Sequence, residues 1–144
     1  MPGRYLIASA DAGTLDVVRR AFAKFAVEAE VCEGAAEAFA RLNRRYDGVV
    51  LDCEDVELAI QLVSGMRSTA SENPPGVIAL LPGESPLHPV LSAGAVLALH
   101  KPLRRLEPLI AGMRICFRLT TPGEKAAAAR EDARTISQPA PSRR

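Results

Sequence analysis

Residues 47 to 55 read "DGVVLDCED", and the interpretation of the chain turns on them. An unbroken apolar run, Val49-Val50-Leu51, delivers the carboxylate of Asp52 to the point where a buried strand would stop. Apolarity without polar alternation is the pattern of a central parallel strand covered by helices on both faces. The stretch therefore predicts a strand over Gly48–Asp52 in the middle of an α/β sheet. In an open parallel sheet, reacting groups gather in the crevice beyond the carboxyl ends of the strands, and Asp52 is expected there.

On either side of this strand, short β-rich runs alternate with helical patterns, the sequence form of βαβ units feeding a parallel sheet. Tyr5 to Ser9 predicts the first strand. Asp11 or Thr14 then caps a helix whose Leu15, Val18, Phe22 and Phe25 recur at 3, 4 and 3 residues, one apolar stripe. Val27 to Cys32 predicts a second strand in which Glu28 and Glu30 interleave, suiting an edge. Gly34 opens a helix carrying Ala35, Ala38, Phe39 and Leu42. After the central strand, a helix carries Leu58, Leu62, Val63 and Met66 and stops before Ser71-Glu72-Asn73-Pro74-Pro75. Gly76 to Leu81 predicts the fourth strand, a short helix begins near Pro89, and Ala95 to Leu99 predicts the fifth strand, which runs into His100-Lys101-Pro102. The last helix places Leu106, Leu109, Ile110, Met113 and Phe117 on one face.

The composition excludes several classes. A chain of 144 residues suits one ordinary domain whose core needs no disulfide or metal staple. Its net charge is +1, without a basic stripe, so neither a nucleic-acid groove nor an anionic membrane is an expected partner. Cys32, Cys53 and Cys116 are odd in number and widely spaced, as reduced buried thiols are, which favours a cytoplasmic setting. No apolar run has the length of a membrane span. Beyond residue 120 the chain turns to Ala, Pro, Ser and charge, so residues 1–120 are expected to fold and 121–144 to form a flexible tail, with transient helix over 124–134. Arg130 and Arg134 in that tail have the Arg-x-x-x-Arg spacing that opens cyclic-dinucleotide-binding PilZ domains, but no Asp-x-Ser-x-x-Gly accompanies them.

Three stretches give the chain a family resemblance: "GVVLD" ending in Asp52, "GVIALL" at residues 76–81, and "SAGAVLALHKPL" at residues 92–103. Together with five alternating strands and helices, they resemble the receiver domain of bacterial response regulators over roughly residues 4 to 119. The resemblance implies a flavodoxin-like three-layer sandwich with a five-stranded parallel sheet in the order 2-1-3-4-5. It implies that Asp52 is the phosphoacceptor and Lys101 the phosphate-contacting lysine. A carboxylate that attacks a phosphoryl group approaches an anion, so a cation and an ammonium must neutralise the developing charge.

The chain departs from the family where that cation would sit. Receivers place two adjacent acids at the end of the first strand; here the place reads Ser9-Ala10-Asp11, leaving Asp11 to join Asp52 in holding Mg²⁺. The family's strand-four hydroxyl is Leu81, and its aromatic switch position is Ala98. The reading that follows is a phosphorylation-impaired, non-enzymatic pseudo-receiver that binds signalling proteins, a histidine kinase or a downstream effector, through its fourth helix, fifth strand and fifth helix. No cofactor is then required. The alternative is a working receiver phosphorylated on Asp52 by a histidine kinase, with Mg²⁺ bound. A small flavodoxin-like enzyme or ligand binder is a third, although Ala10-Asp11-Ala12-Gly13 is no Gly-rich phosphate loop.

Overall fold

Five strands hydrogen-bond in parallel in the order β2-β1-β3-β4-β5, and five helices alternate with them along the chain. The elements are β1 (Tyr5–Ala8), α1 (Ala12–Ala23), β2 (Glu30–Cys32), α2 (Ala35–Ala40), β3 (Gly48–Asp52), α3 (Val56–Thr69), β4 (Gly76–Pro82), α4 (His88–Ala93), β5 (Leu97–Lys101) and α5 (Glu107–Cys116). The computed structural model describes residues 3–41, 45–69, 74–124, 127, 129 and 130. Leu42, Ser71 to Asn73 and Arg134, which entered the reading above, lie outside them. This is the flavodoxin-like sandwich expected from the sequence, with β3 in the middle of the sheet.

The strand pleat divides the core in two. Val49 and Leu51 point to one face, where they meet Ala59, Leu62, Val63 and Met66 of α3 and Val90 of α4. Val50, between them, points to the other face, where Val18 and Phe22 of α1 and Leu109 and Met113 of α5 cover it. Alternation on a pleated strand sends neighbours to opposite faces, so a strand buried on both must be apolar throughout. That requirement is why β3 carries no polar residue before Asp52. Burial of each large apolar side chain contributes about 1.5–3 kcal/mol, so the two layers dominate the stability.

Local signals set the helix boundaries. Asp11 is the N-cap of α1; its carboxylate accepts from the Thr14 backbone N–H at 2.9 Å and from the Thr14 hydroxyl at 2.8 Å. Gly94 ends α4 with φ of 125°, a conformation in which a side chain would be strained. Two strands differ from expectation at their starts. Strand β2 begins at Glu30 rather than Val27, because its pairing with β1 starts at Leu6↔Glu30 and Ala26 turns the chain through a positive φ. Strand β5 begins at Leu97 rather than Ala95, since Gly94 to Val96 form the turn out of α4.

Past α5, residues 121–124 form a turn of their own. Residues 122–124 are helical, and a reciprocal capping box ties them: Glu124 N–H donates to the Thr121 hydroxyl and Thr121 N–H to the Glu124 carboxylate, both at 3.2 Å. Arg114 of α5 pairs with Glu124. Among the described residues, no helix is long and apolar enough to cross a membrane.

Gly48 lies where the sheet meets Phe117, whose ring also contacts those of Tyr5 and Phe22. A Cβ at position 48 would sit 2.6 Å from that ring. Gly48→Ala is therefore expected to destabilise the fold by about 1–3 kcal/mol, read as a lower urea midpoint at unchanged slope.

Candidate functional site

Asp52 is the last residue of β3, and the register of the sheet sets its surroundings. Ala8 pairs with Leu51, so Ser9, one residue beyond β1, stands beside Asp52. On the other side, β4 pairs with both β3 and β5, and Lys101 closes β5 opposite Pro82. Parallel strands bring all their carboxyl ends to one edge, and three separate segments meet there for that reason.

Both oxygens of Asp52 are taken by donors from its neighbours. The Lys101 ammonium contacts Oδ1 in a direct ion pair, and the Ser9 hydroxyl donates to Oδ2 at 2.7 Å. Ser9 Oγ in turn accepts from the Asp11 N–H at 3.2 Å. The Asp52 side chain is 9% exposed and that of Lys101 21%. A carboxylate that far out of water is stable only with its charge paired and its oxygens hydrogen-bonded.

A cleft of about 350 Å³ opens beside this pair, lined by Asp11, Glu33, Asp52, Glu54, Leu58 and Lys101, with Ala10 and Gly34. The three residues expected from the sequence, Asp52, Lys101 and Asp11, are therefore brought to one cleft. Asp11 is turned toward α1: its bonds to Thr14 hold its carboxyl below the usual carboxylate range, with Lys101 acting in the same direction. Asp55 is likewise occupied, accepting from Leu58 N–H at 2.7 Å at the start of α3. Among the described residues no group of three or more His, Cys, Asp or Glu side chains is arranged to hold a metal ion.

Sequence reasoning missed Ser9 as a member of the site, treating its position only as the place of an absent acid. The signal lay in the strand order: with β1 beside β3, the first residue past β1 must flank the first residue past Leu51. The apolar replacements are deep in the core. Leu81 and Ala98 belong to one buried cluster with Leu51 and Met66. Where the family resemblance implies a hydroxyl and an aromatic ring, this chain has continuous apolar packing.

Cys53, next to Asp52, is a buried thiol whose pKa is pushed up to about 11, first by desolvation and then by the Asp52 charge. A thiol so held is a poor nucleophile at neutral pH. Cys32 and Cys116 are raised as well, both mainly by burial.

The fold is that of the response-regulator receiver domain. An atypical orphan response regulator, described as revealing a phosphorylation-independent regulatory mechanism, matches with a TM-score of 0.67 at 18% identity, over 82% of this chain and 98% of that one. An orphan response regulator of H. pylori matches with a TM-score of 0.67 at 19% identity, over 81% and 99%. A response regulator from Thermotoga maritima matches with a TM-score of 0.67 at 22% identity, over 82% and 99%. No protein-family model and no curated protein sequence matches the chain.

Two measurements test this geometry. A double-mutant cycle over Asp52→Ala and Lys101→Ala is expected to show a coupling of about 1–2 kcal/mol in urea unfolding, larger than for an exposed pair. The second concerns Cys53, whose folded-state pKa is raised above the ordinary thiol value of 9.0 to about 11. Between those values the native state binds more protons than the unfolded one. Its contribution is thus complete below pH 9 and lost as pH rises toward 11, at up to about 1.4 kcal/mol per pH unit. Cys53→Ala is expected to flatten that part of the stability profile.

Proposed function

We propose that this chain is a receiver-like signal-transduction module of a two-component-type system, working as a phosphorylation-impaired protein-interaction domain. The observation that carries the reading is the state of Asp52, engaged by Ser9 on one oxygen and Lys101 on the other. A phosphoryl acceptor needs a free oxygen aimed at the incoming phosphorus and a cation to offset the charge. Here each oxygen already accepts from a protein donor, and the position of the sensing hydroxyl is the buried Leu81. The module is proposed to have no enzymatic turnover and to require no cofactor. Residues 1–120 would form the receiver-like unit and 121–144 the tail, its first turn tied to α5.

Recognition is proposed to occur on the face made by α4, β5 and α5. Leu91 on α4, Val96 before β5 and Ile115 on α5 are exposed apolar residues, Ile115 at 77%. Arg118 and the Glu124-paired Arg114 flank Ile115. Leu106, in contrast, caps α5 and packs partly into the core, so it belongs to the fold more than to this surface. The partner class is a signalling protein, a histidine kinase or a downstream effector. The phosphorylation-independent mechanism ascribed to the orphan regulator of the same fold is in keeping with this reading.

A second reading, a receiver phosphorylated on Asp52, draws on the Asp52–Lys101 contact in the cleft. Incubation of the full chain with a small phosphodonor and Mg²⁺, followed by intact-mass analysis, separates the two. Under the first reading no Asp52-dependent adduct of about 80 Da forms; its appearance would establish the second. The surface is tested by crosslinking in cell extract with mass-spectrometric identification. Ile115→Glu is expected to abolish capture of a signalling partner that Asp52→Asn still captures, and equal capture by both variants would count against the proposed face.

A further inference from the structure

Magnesium prefers about six oxygen ligands in near-octahedral geometry at about 2.0–2.1 Å and gives up its water reluctantly. The residues at the head of β1 and β3 do not fit that demand. Ser9 is 4% exposed and its hydroxyl makes two defined hydrogen bonds: its one proton goes to Asp52 Oδ2, and its oxygen accepts from Asp11 N–H. A cation approaching Oδ2 would meet the hydroxyl proton there. On Oδ1 it would meet the Lys101 ammonium, already a full positive charge. Asp11 has turned its Oδ2 to the start of α1, where two donors from Thr14 hold it. Bringing that oxygen to the cleft would uncap the helix.

From this arrangement we infer that Ser9 bars divalent cations from the cleft, by closing Asp52 into a hydroxyl–carboxylate–ammonium clamp. Ser9 is a positioning residue: it acts through Asp52. The effect follows from exchange of one acceptor for one donor. An acid at position 9 would present oxygens toward Asp52 and the cleft, whereas the serine presents a proton. Glu33 and Glu54, which also line the cleft, do not supply the missing ligand, since neither forms a three-carboxylate group with Asp52 and Asp11. The inference deepens the proposed impairment of the phosphoacceptor site and rests on it. Its readout, however, is metal binding alone.

Calorimetric titration of MgCl₂ into the full chain, natural and Ser9→Asp, supplies the test, with thermal unfolding as a second measurement. The natural chain is expected to give no saturable binding up to about 10 mM and no change in melting temperature. Ser9→Asp is expected to bind at least about tenfold more tightly and to melt higher when Mg²⁺ is added. Saturable binding by the natural chain anywhere below about 10 mM would overturn the inference, as would a folded Ser9→Asp without the gain. Should repulsion from Asp52 unfold that variant, restoration of the fold by Mg²⁺ counts as the expected gain and failure to restore it counts against. A negative result leaves recognition through α4, β5 and α5 standing, because Ile115→Glu reads that separately.

Discussion

The parallel pairing of β3 with β1 on one side and β4 on the other is the constraint from which the rest of the molecule follows. A strand in that position loses both faces to helices, so its interior residues must be apolar and its first polar side chain can appear only where the sheet ends. The same pairing, kept in register, carries Ser9 to one side of Asp52, while β5 brings Lys101 from beyond β4. Three segments far apart in sequence thereby meet at one edge without any local sequence preference for one another. The largely buried carboxylate is tolerated because each neighbour contributes a donor; an unpaired charge at that depth would cost several kcal/mol.

Around this polar clamp the packing is apolar and close. Leu51, Leu81 and Ala98 share a cluster with Met66 and Val63 on one side of the sheet. A two-state switch needs two arrangements of similar free energy. Leu81 brings no hydroxyl and Ala98 no ring to such a switch, which accords with the phosphorylation impairment proposed above. The chemical quiet of Cys53 belongs to the same picture: burial beside a carboxylate keeps it protonated.

Polar chemistry is concentrated instead at the rim. The edge strand β2 is short and guarded by charge: Glu30 accepts from the Tyr46 hydroxyl at 2.5 Å and pairs with Arg4 and Arg41. Such an edge resists pairing with another chain. At the opposite end of the sheet lies β5, and Leu91 of α4, Val96 before β5 and Ile115 of α5 are exposed apolar residues of the segments where recognition is proposed.

How much of this was legible beforehand depends on the range of the interaction. Hydrophobic period and turn chemistry act over a few residues, and they sufficed for five strands, five helices, the edge position of β2 and the central position of β3. They also placed Asp52 and Lys101 at strand ends, because a polar residue closing an apolar run is a local pattern. The start of β2 was misjudged by three residues, since pairing with β1 and the positive φ of Ala26 decide it, and neither shows in composition. Ser9 went unrecognised for a similar reason: a serine after a strand is ordinary, and only the register against β3 turns it into a donor to Asp52. By itself, then, the order of residues determined the layered α/β architecture, through periodicity that any isolated segment already carries. Tertiary structure alone decided that the carboxylate at the crest of β3 is paired on both oxygens, because the hydroxyl and ammonium that pair with it come from strands brought together only by the sheet.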